Sequence, residues 1–150
     1  MNLINIFVER FYISNRGNCY FYGQVSNITS IWQTVTITDS TDYSLIDNQK
    51  ISYNLSAWMG GFSTQDDSAQ VSLTFLNQNN QQVGNTVTIG PVLAAERNNI
   101  TSLIFHQTSG LVPSSTRSFM VTLTITRLYL SSLPPSNDGL ADNIAVSFYE

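Results

Sequence analysis

A chain of 150 residues, 42% hydrophobic and only 11% charged, is long enough to bury one core without disulfide or metal staples. A typical soluble domain carries roughly 25% charged residues; here Ser, Thr, Asn and Gln supply the polarity, which suits strands and turns better than long solvated helices. The formal net charge of −4 and the scatter of the six basic residues exclude a phosphate-tracking nucleic-acid surface, and no apolar run reaches the ~20 residues of a membrane-spanning helix.

The N-terminal stretch MNLINIFVERFYIS is interrupted by Glu9 and Arg10. It lacks a basic leader region and a small-residue cleavage site, so it does not read as an ordinary signal peptide, and the compartment stays open. Asn5 to Ile13 is a noisy first strand candidate, and the short aromatic run Asn18 to Tyr22 closes at Gly23. From there period-two alternation dominates, the mark of half-buried strands. Thr29 to Thr38 sets Ile31, Val35 and Ile37 against Trp32, Thr34 and Thr36. Asp39 to Asn48 reads as a loop holding at most a short turn of helix.

Lys50 to Met59 puts Ile51, Tyr53, Leu55, Ala57 and Met59 on one face, with Ser52, Asn54, Ser56 and Trp58 on the other. A kink is expected at Gly60-Gly61, then a turn through Gln65, Asp66 and Asp67. Ala69 to Leu76 and Gly84 to Ile89 form a hairpin across the polar loop Asn77 to Gln82. Val92 to Asn98, with Ala94, Ala95 and Glu96, is the short segment of most helical character. Thr101 to Gln107 is a strand through Leu103 and Phe105, and Arg117 to Leu130 is the longest strand candidate. A Pro134-Pro135 loop leads through the turn-like NDG to a last strand carrying Ile144, Val146 and Phe148. Eight or nine strands at roughly ten-residue spacing predict an all-β fold in one domain, an antiparallel β-sandwich of the jelly-roll kind.

Catalytic chemistry has little to stand on. His106, the single histidine, lies in an apolar run with no motif tying it to a serine. Cys19 reads as a small hydrophobe packed among Tyr20, Phe21 and Tyr22, and being alone it forms no intramolecular disulfide. Glutamate is scarce, and the adjacent Asp66 and Asp67 diverge on an extended backbone, so a facing carboxylate pair for glycoside hydrolysis is not evident. Asp66, Asp67, Asp138 and Asp142 all fall in Gly- or Asn-containing stretches, where carboxylates serve either as oxygen ligands or simply as turn formers. Trp32 and Trp58 oppose their aliphatic neighbours, which leaves either an exposed platform for a sugar's C–H face or a ring covered by a loop.

Four pieces, SAWMGGFSTQDDSAQVSLTFLN, TIGPVLAAERNNITSLIF, SGLVPSSTRSFMVTLTITR and NDGLADNIAVSF, occur in an order and spacing that resembles the galactose-binding-domain-like jelly rolls. Their architecture is similar to that of carbohydrate-binding modules. The resemblance implies a non-catalytic module, often part of extracellular proteins, that presents loops at one end of the sandwich to a glycan or glycoprotein. It also implies a structural Ca2+ held by the Asp that opens the last strand, by position Asp142, together with the N-terminal segment. Here the N-terminus departs from the pattern: no Gly-Trp turn follows Asn2 to Asn5, and Glu9 is the nearest stand-in for the usual Glu.

The expected ligand-binding set is therefore Trp58 and Phe62 for stacking, and Asp66, Asp67, Arg97, Asn137 and Asp138 for hydroxyl hydrogen bonds, with Asp142 for the metal. Two other readings stay open. One is an assembly or adhesion role as a homo-oligomer, for which a low-charge, Thr-rich strand composition is suited. In the other, Asp66 or Asp67 pairs with Arg97 or Arg117 and does no more than hold the loops together.

Overall fold

The computed structural model describes residues 19–128 and 136–150. The strand candidate Asn5 to Ile13, the Glu9 position and the Pro134-Pro135 loop lie outside the described residues. The elements are β1 (Phe21–Gln24), β2 (Ile28–Thr36), α1 (Ser40–Asp47), β3 (Ser52–Gly61), β4 (Ser68–Leu76), β5 (Gln82–Ile89), β6 (Ser102–Leu111), β7 (Ser118–Thr126) and β8 (Asn137–Tyr149). They form two four-stranded sheets, in the order β1-β8-β3-β6 and β2-β7-β4-β5. Every pairing between neighbours is antiparallel. This double-sheet order is that of a jelly roll.

Alternation decides which face of each strand is dry. Phe119, Val121, Leu123 and Ile125 of β7 point into the core with Val71, Leu73 and Phe75 of β4. From the other sheet come Tyr53, Leu55, Ala57 and Met59 of β3 and Ile144, Val146 and Phe148 of β8. Each of the Val, Leu, Ile, Phe and Met side chains among them, fully buried, contributes roughly 1.5–3 kcal/mol of hydrophobic stabilisation. Aromatic pairs knit the layers together: Phe119 meets Phe148 edge-on at 5.0 Å, and Tyr53 tilts against Phe75 at 5.3 Å.

Three expectations are corrected. The helix lies in Asp39 to Asn48, where Asp39 caps α1 by accepting the Thr41 N–H at 2.8 Å, whereas Val92 to Asn98 forms successive turns. On β6 the outward residues are Leu103, Phe105 and Gln107, and Ile104 stands inward opposite Met59. Both faces of that run are apolar, so alternation alone did not orient it.

NDGLADN is strand, not turn. β8 begins at Asn137 and pairs with β1 on one side and β3 on the other. Asp142 is therefore mid-strand, next to a bulge in which Asn143 and Ile144 oppose the single Ala57. Asn143 takes φ of 48°, a left-handed conformation that Asn tolerates well.

Candidate functional site

Three of the seven side chains expected to meet a ligand, Asp67, Arg97 and Asn137, are turned inward. Asp67 is 0% exposed, and its carboxylate accepts the Leu128 N–H at 2.7 Å and the Asp138 N–H at 3.0 Å. Arg97 is 1% exposed, and its guanidinium donates to the carbonyls of Ser63 (3.0 Å), Gln65 (2.7 Å) and Ile100. Burial pushes the Arg97 guanidinium below its ordinary range, and the charge of Asp66 acts in the opposite sense. Asn137 is also buried, donating to the Ile125 carbonyl at 3.1 Å.

Gly60 and Gly61 serve this arrangement, though not as a kink, since β3 runs regularly through both. A Cβ at Gly60 would strike the Ser102 carbonyl, and one at Gly61 would meet the Asp67 carbonyl and the Arg97 guanidinium. The glycines let two backbones and a buried cation approach each other. Arg117, the other cation considered for the QDD turn, binds Asp47 at the far end of the sandwich instead.

Of the remaining members, Phe62 and Asp66 are exposed and Trp58 and Asp138 are half-buried. Phe62 is 50% exposed just beyond β3. Asp66 is exposed, with Oδ1 accepting the Ala94 N–H at 2.9 Å. Asp138 is half-buried and accepts from Ser136 Oγ at 2.6 Å. Trp58 belongs to the outward face of the first sheet. It stands in register between Asp142 of β8 and Phe105 of β6, its ring 5.6 Å from that of Phe105 and tilted by 52°. The next rows on the same face are Ala145, Ser56 and Gln107, then Ser147, Asn54 and Ser109. The outward face therefore carries an aromatic pair among hydroxyls, amides and one carboxylate. Sequence reasoning had placed Asn54, Ser56 and Trp58 together but missed Phe105 and Gln107, which only the β3–β6 register supplies.

Asp142 is half-buried, with Oδ1 accepting the Asn143 N–H at 2.8 Å. Calcium takes 6–8 oxygen ligands, yet among the described residues no group of three or more His, Cys, Asp or Glu could hold a metal. The described residues supply one carboxylate, and its row neighbours, Trp58 and Phe105, supply no oxygen.

The remaining candidates for chemistry divide plainly. His106 bonds to Glu96 through Nε2 at 2.6 Å. Cys19 is exposed rather than packed, as are Tyr20, Phe21 and Tyr22. A groove of about 330 Å3, lined by Phe21, Tyr22, Val25, Ile31 and Ile125 among others, opens beside β1. We assign it no ligand, because residues 1–18, which lead to β1, lie outside the described residues.

No family model and no curated protein matches the chain. Among solved structures it is similar to a family 16 carbohydrate-binding module, at 18% identity and TM-score 0.50, covering 87% of this chain and 77% of that one. It is also similar to a family 61 module solved with β-1,4-galactotriose, at 11% identity and TM-score 0.47, covering 88% and 72%. A third likeness is to the enzymatically active domain of tailspike protein 4 of bacteriophage CBA120, at 14% identity and TM-score 0.49, where this chain spans 81% of its own length but 13% of the other. At such identities the likeness is one of fold. The chain is a jelly-roll β-sandwich of the kind found in carbohydrate-binding modules.

Proposed function

We propose that this chain is a non-catalytic carbohydrate-binding module that takes glycan on the outward face of its first sheet. The observation that carries this reading is the Trp58–Phe105 pair, set in one row with Asp142 and flanked by Asn54 and Gln107. Aromatic faces receive the C–H side of a pyranose, and neutral amides and hydroxyls pair with its hydroxyls at fixed positions. Phe62, Asp66 and Asp138 form the accessible rim at the loop end, while Asp67, Arg97 and Asn137 hold that rim in place from inside. A non-catalytic role is supported by the same geometry. Of the adjacent carboxylates one is exposed and the other buried, so they do not face each other across a cleft as glycoside hydrolysis requires.

The test is glycan-array screening followed by calorimetry on the best soluble oligosaccharide. Trp58→Ala and Phe105→Ala should each weaken binding about tenfold with the melting temperature little changed. Parent-like affinity in both variants would overturn the assignment of this face.

A structural calcium at Asp142 is a separate proposal, supported by the carboxylate's fixed orientation on the Asn143 N–H. It requires further oxygen ligands from outside the described residues. Chelation with EDTA should lower the melting temperature and added calcium restore it; an unchanged melting curve would discard it.

A further inference from the structure

β1 adds a second aromatic pair to the outward face of the first sheet. Tyr22 stands in register with Leu140 of β8, and Leu140 with Gly60 of β3, two residues beyond Trp58. Phe21 is in register with the buried Ala141, so alternation puts Tyr22 on the same face as Trp58. Tyr20, two residues earlier on that side, meets Tyr22 edge-on with ring centroids 6.4 Å apart. Both tyrosines are exposed. One strand, β8, separates this pair from the Trp58–Phe105 pair, and it presents Leu140 and Asp142 between them.

We infer that the two pairs are subsites for one uncharged, extended oligosaccharide that crosses the strands, with Tyr22 and Tyr20 forming the second subsite. The inference rests on the glycan reading of this face and adds the ligand's direction, minimum length and charge. Direction and length follow from the strand order. β1 and β3 lie two strand spacings apart, about 9.6 Å, and a pyranose in an extended chain is close to one strand spacing long. A ring on each aromatic pair therefore leaves one ring between them, over Leu140 and Asp142, and the smallest ligand that reaches both is a trisaccharide. Charge follows from composition. The strands FYGQ, SYNLSAWMGG, SLIFHQTSGL and NDGLADNIAVSFY contain no Lys or Arg, and their one histidine, His106, is in register with the inward Ala57. No cation of these strands offsets Asp142, so an anionic glycan meets repulsion there. A second copy of the chain laid face to face would cover two such carboxylates without a cation to pair them, which is costly. A sugar hydroxyl instead donates to the carboxylate and leaves it hydrogen-bonded. That difference favours a neutral glycan over self-association on this face.

The experiment is calorimetry of the full chain with cello-, manno- and N-acetylchito-oligosaccharides, each from disaccharide to hexasaccharide. In at least one series affinity should rise up to the trisaccharide and change little beyond it. Tyr22→Ala should weaken the trisaccharide about tenfold and leave the disaccharide at parent affinity. Tyr22→Phe, which keeps the ring, should bind like the parent. Tyr20→Ala interrogates the same subsite should Tyr22→Ala fail to fold. Affinity independent of chain length, or parent-like trisaccharide binding in both alanine variants, would overturn the inference. So would binding to none of the three series. If Trp58→Ala still weakens binding while the tyrosine variants do not, the first site stands and the second subsite falls. Parent-like binding in both Trp58→Ala and Phe105→Ala removes the reading on which the inference rests. A loss in Tyr22→Ala confined to self-association, seen by light scattering, overturns it and assigns the face to a second copy.

Discussion

Asp66 and Asp67 show how two identical, adjacent side chains acquire different roles. Neighbouring side chains on an extended backbone point to opposite sides, so one carboxylate faces water and the other faces the protein. Which one turned inward was settled by amides far along the chain, those of Leu128 and Asp138. Asp67→Asn places an amide NH2 against one of those buried N–H donors. It should destabilise the fold by about 1–3 kcal/mol, read as a lower urea midpoint; an unchanged midpoint would remove Asp67 from the clasp. The Gly60-Gly61 pair was equally visible in the sequence, but its use as a seat for the Ser102 carbonyl and the Arg97 guanidinium was not. Close approach is a property of two chain segments, and only one of them is present in a local motif.

Among the elements, α1 and β8 depart furthest from local expectation. The run STDYSLID has modest helix propensity, and its anchoring is tertiary. Ile46 is buried, the Tyr43 hydroxyl donates to the Ile37 carbonyl at 2.6 Å, and Asp47 meets both guanidinium nitrogens of Arg117 at 2.6 and 3.1 Å. Hydrogen bonds from the Arg117 side chain, and next from the Ser115 N–H, hold the Asp47 carboxyl below the usual carboxylate range. Because its folded pKa lies below the unfolded one, the resulting stability is complete above the unfolded value of roughly 3.9 and is lost as pH falls through the folded value. The Asp47 side chain is 41% exposed, so solvent screening limits the contribution to roughly 0.5–1 kcal/mol. Asp47→Asn should therefore melt below the parent at neutral pH, with the gap closing in acid. A gap that persists at the lowest pH would assign the effect to packing. β8 gains its length differently. Asn, Asp and Gly favour turns, but β1 and β3 pair with NDGLADN from both sides, and the ladder outweighs local preference.

For the whole molecule, the low charge content shapes association as much as solubility. Among the described residues β2 is an edge strand of nine residues in unbroken register with β7, with Ile28, Ile31 and Trp32 exposed and no charged residue along it. Such an edge is a template for pairing with another chain, which is the observation that favours assembly as a second reading. Light scattering across a wide concentration range tests it. Assembly predicts a mass that rises with concentration and falls back when lysine replaces Gln33, which is exposed on β2; monomer at all concentrations would eliminate it.

The sequence by itself determined the all-β class, the approximate positions of β2 to β7 and the inward faces of β3, β4 and β7. The reason is that period-two alternation is local and survives whatever the strands pack against. It also placed Trp32 and Trp58 opposite the core. The tertiary structure decided the pairing that makes a jelly roll, the outward turn of Phe105 and the strand character of NDGLADN. It also decided the burial of Asp67, Arg97 and Asn137. Each of these depends on which distant backbone supplies a hydrogen bond or a contact, and no window of neighbouring residues contains that information.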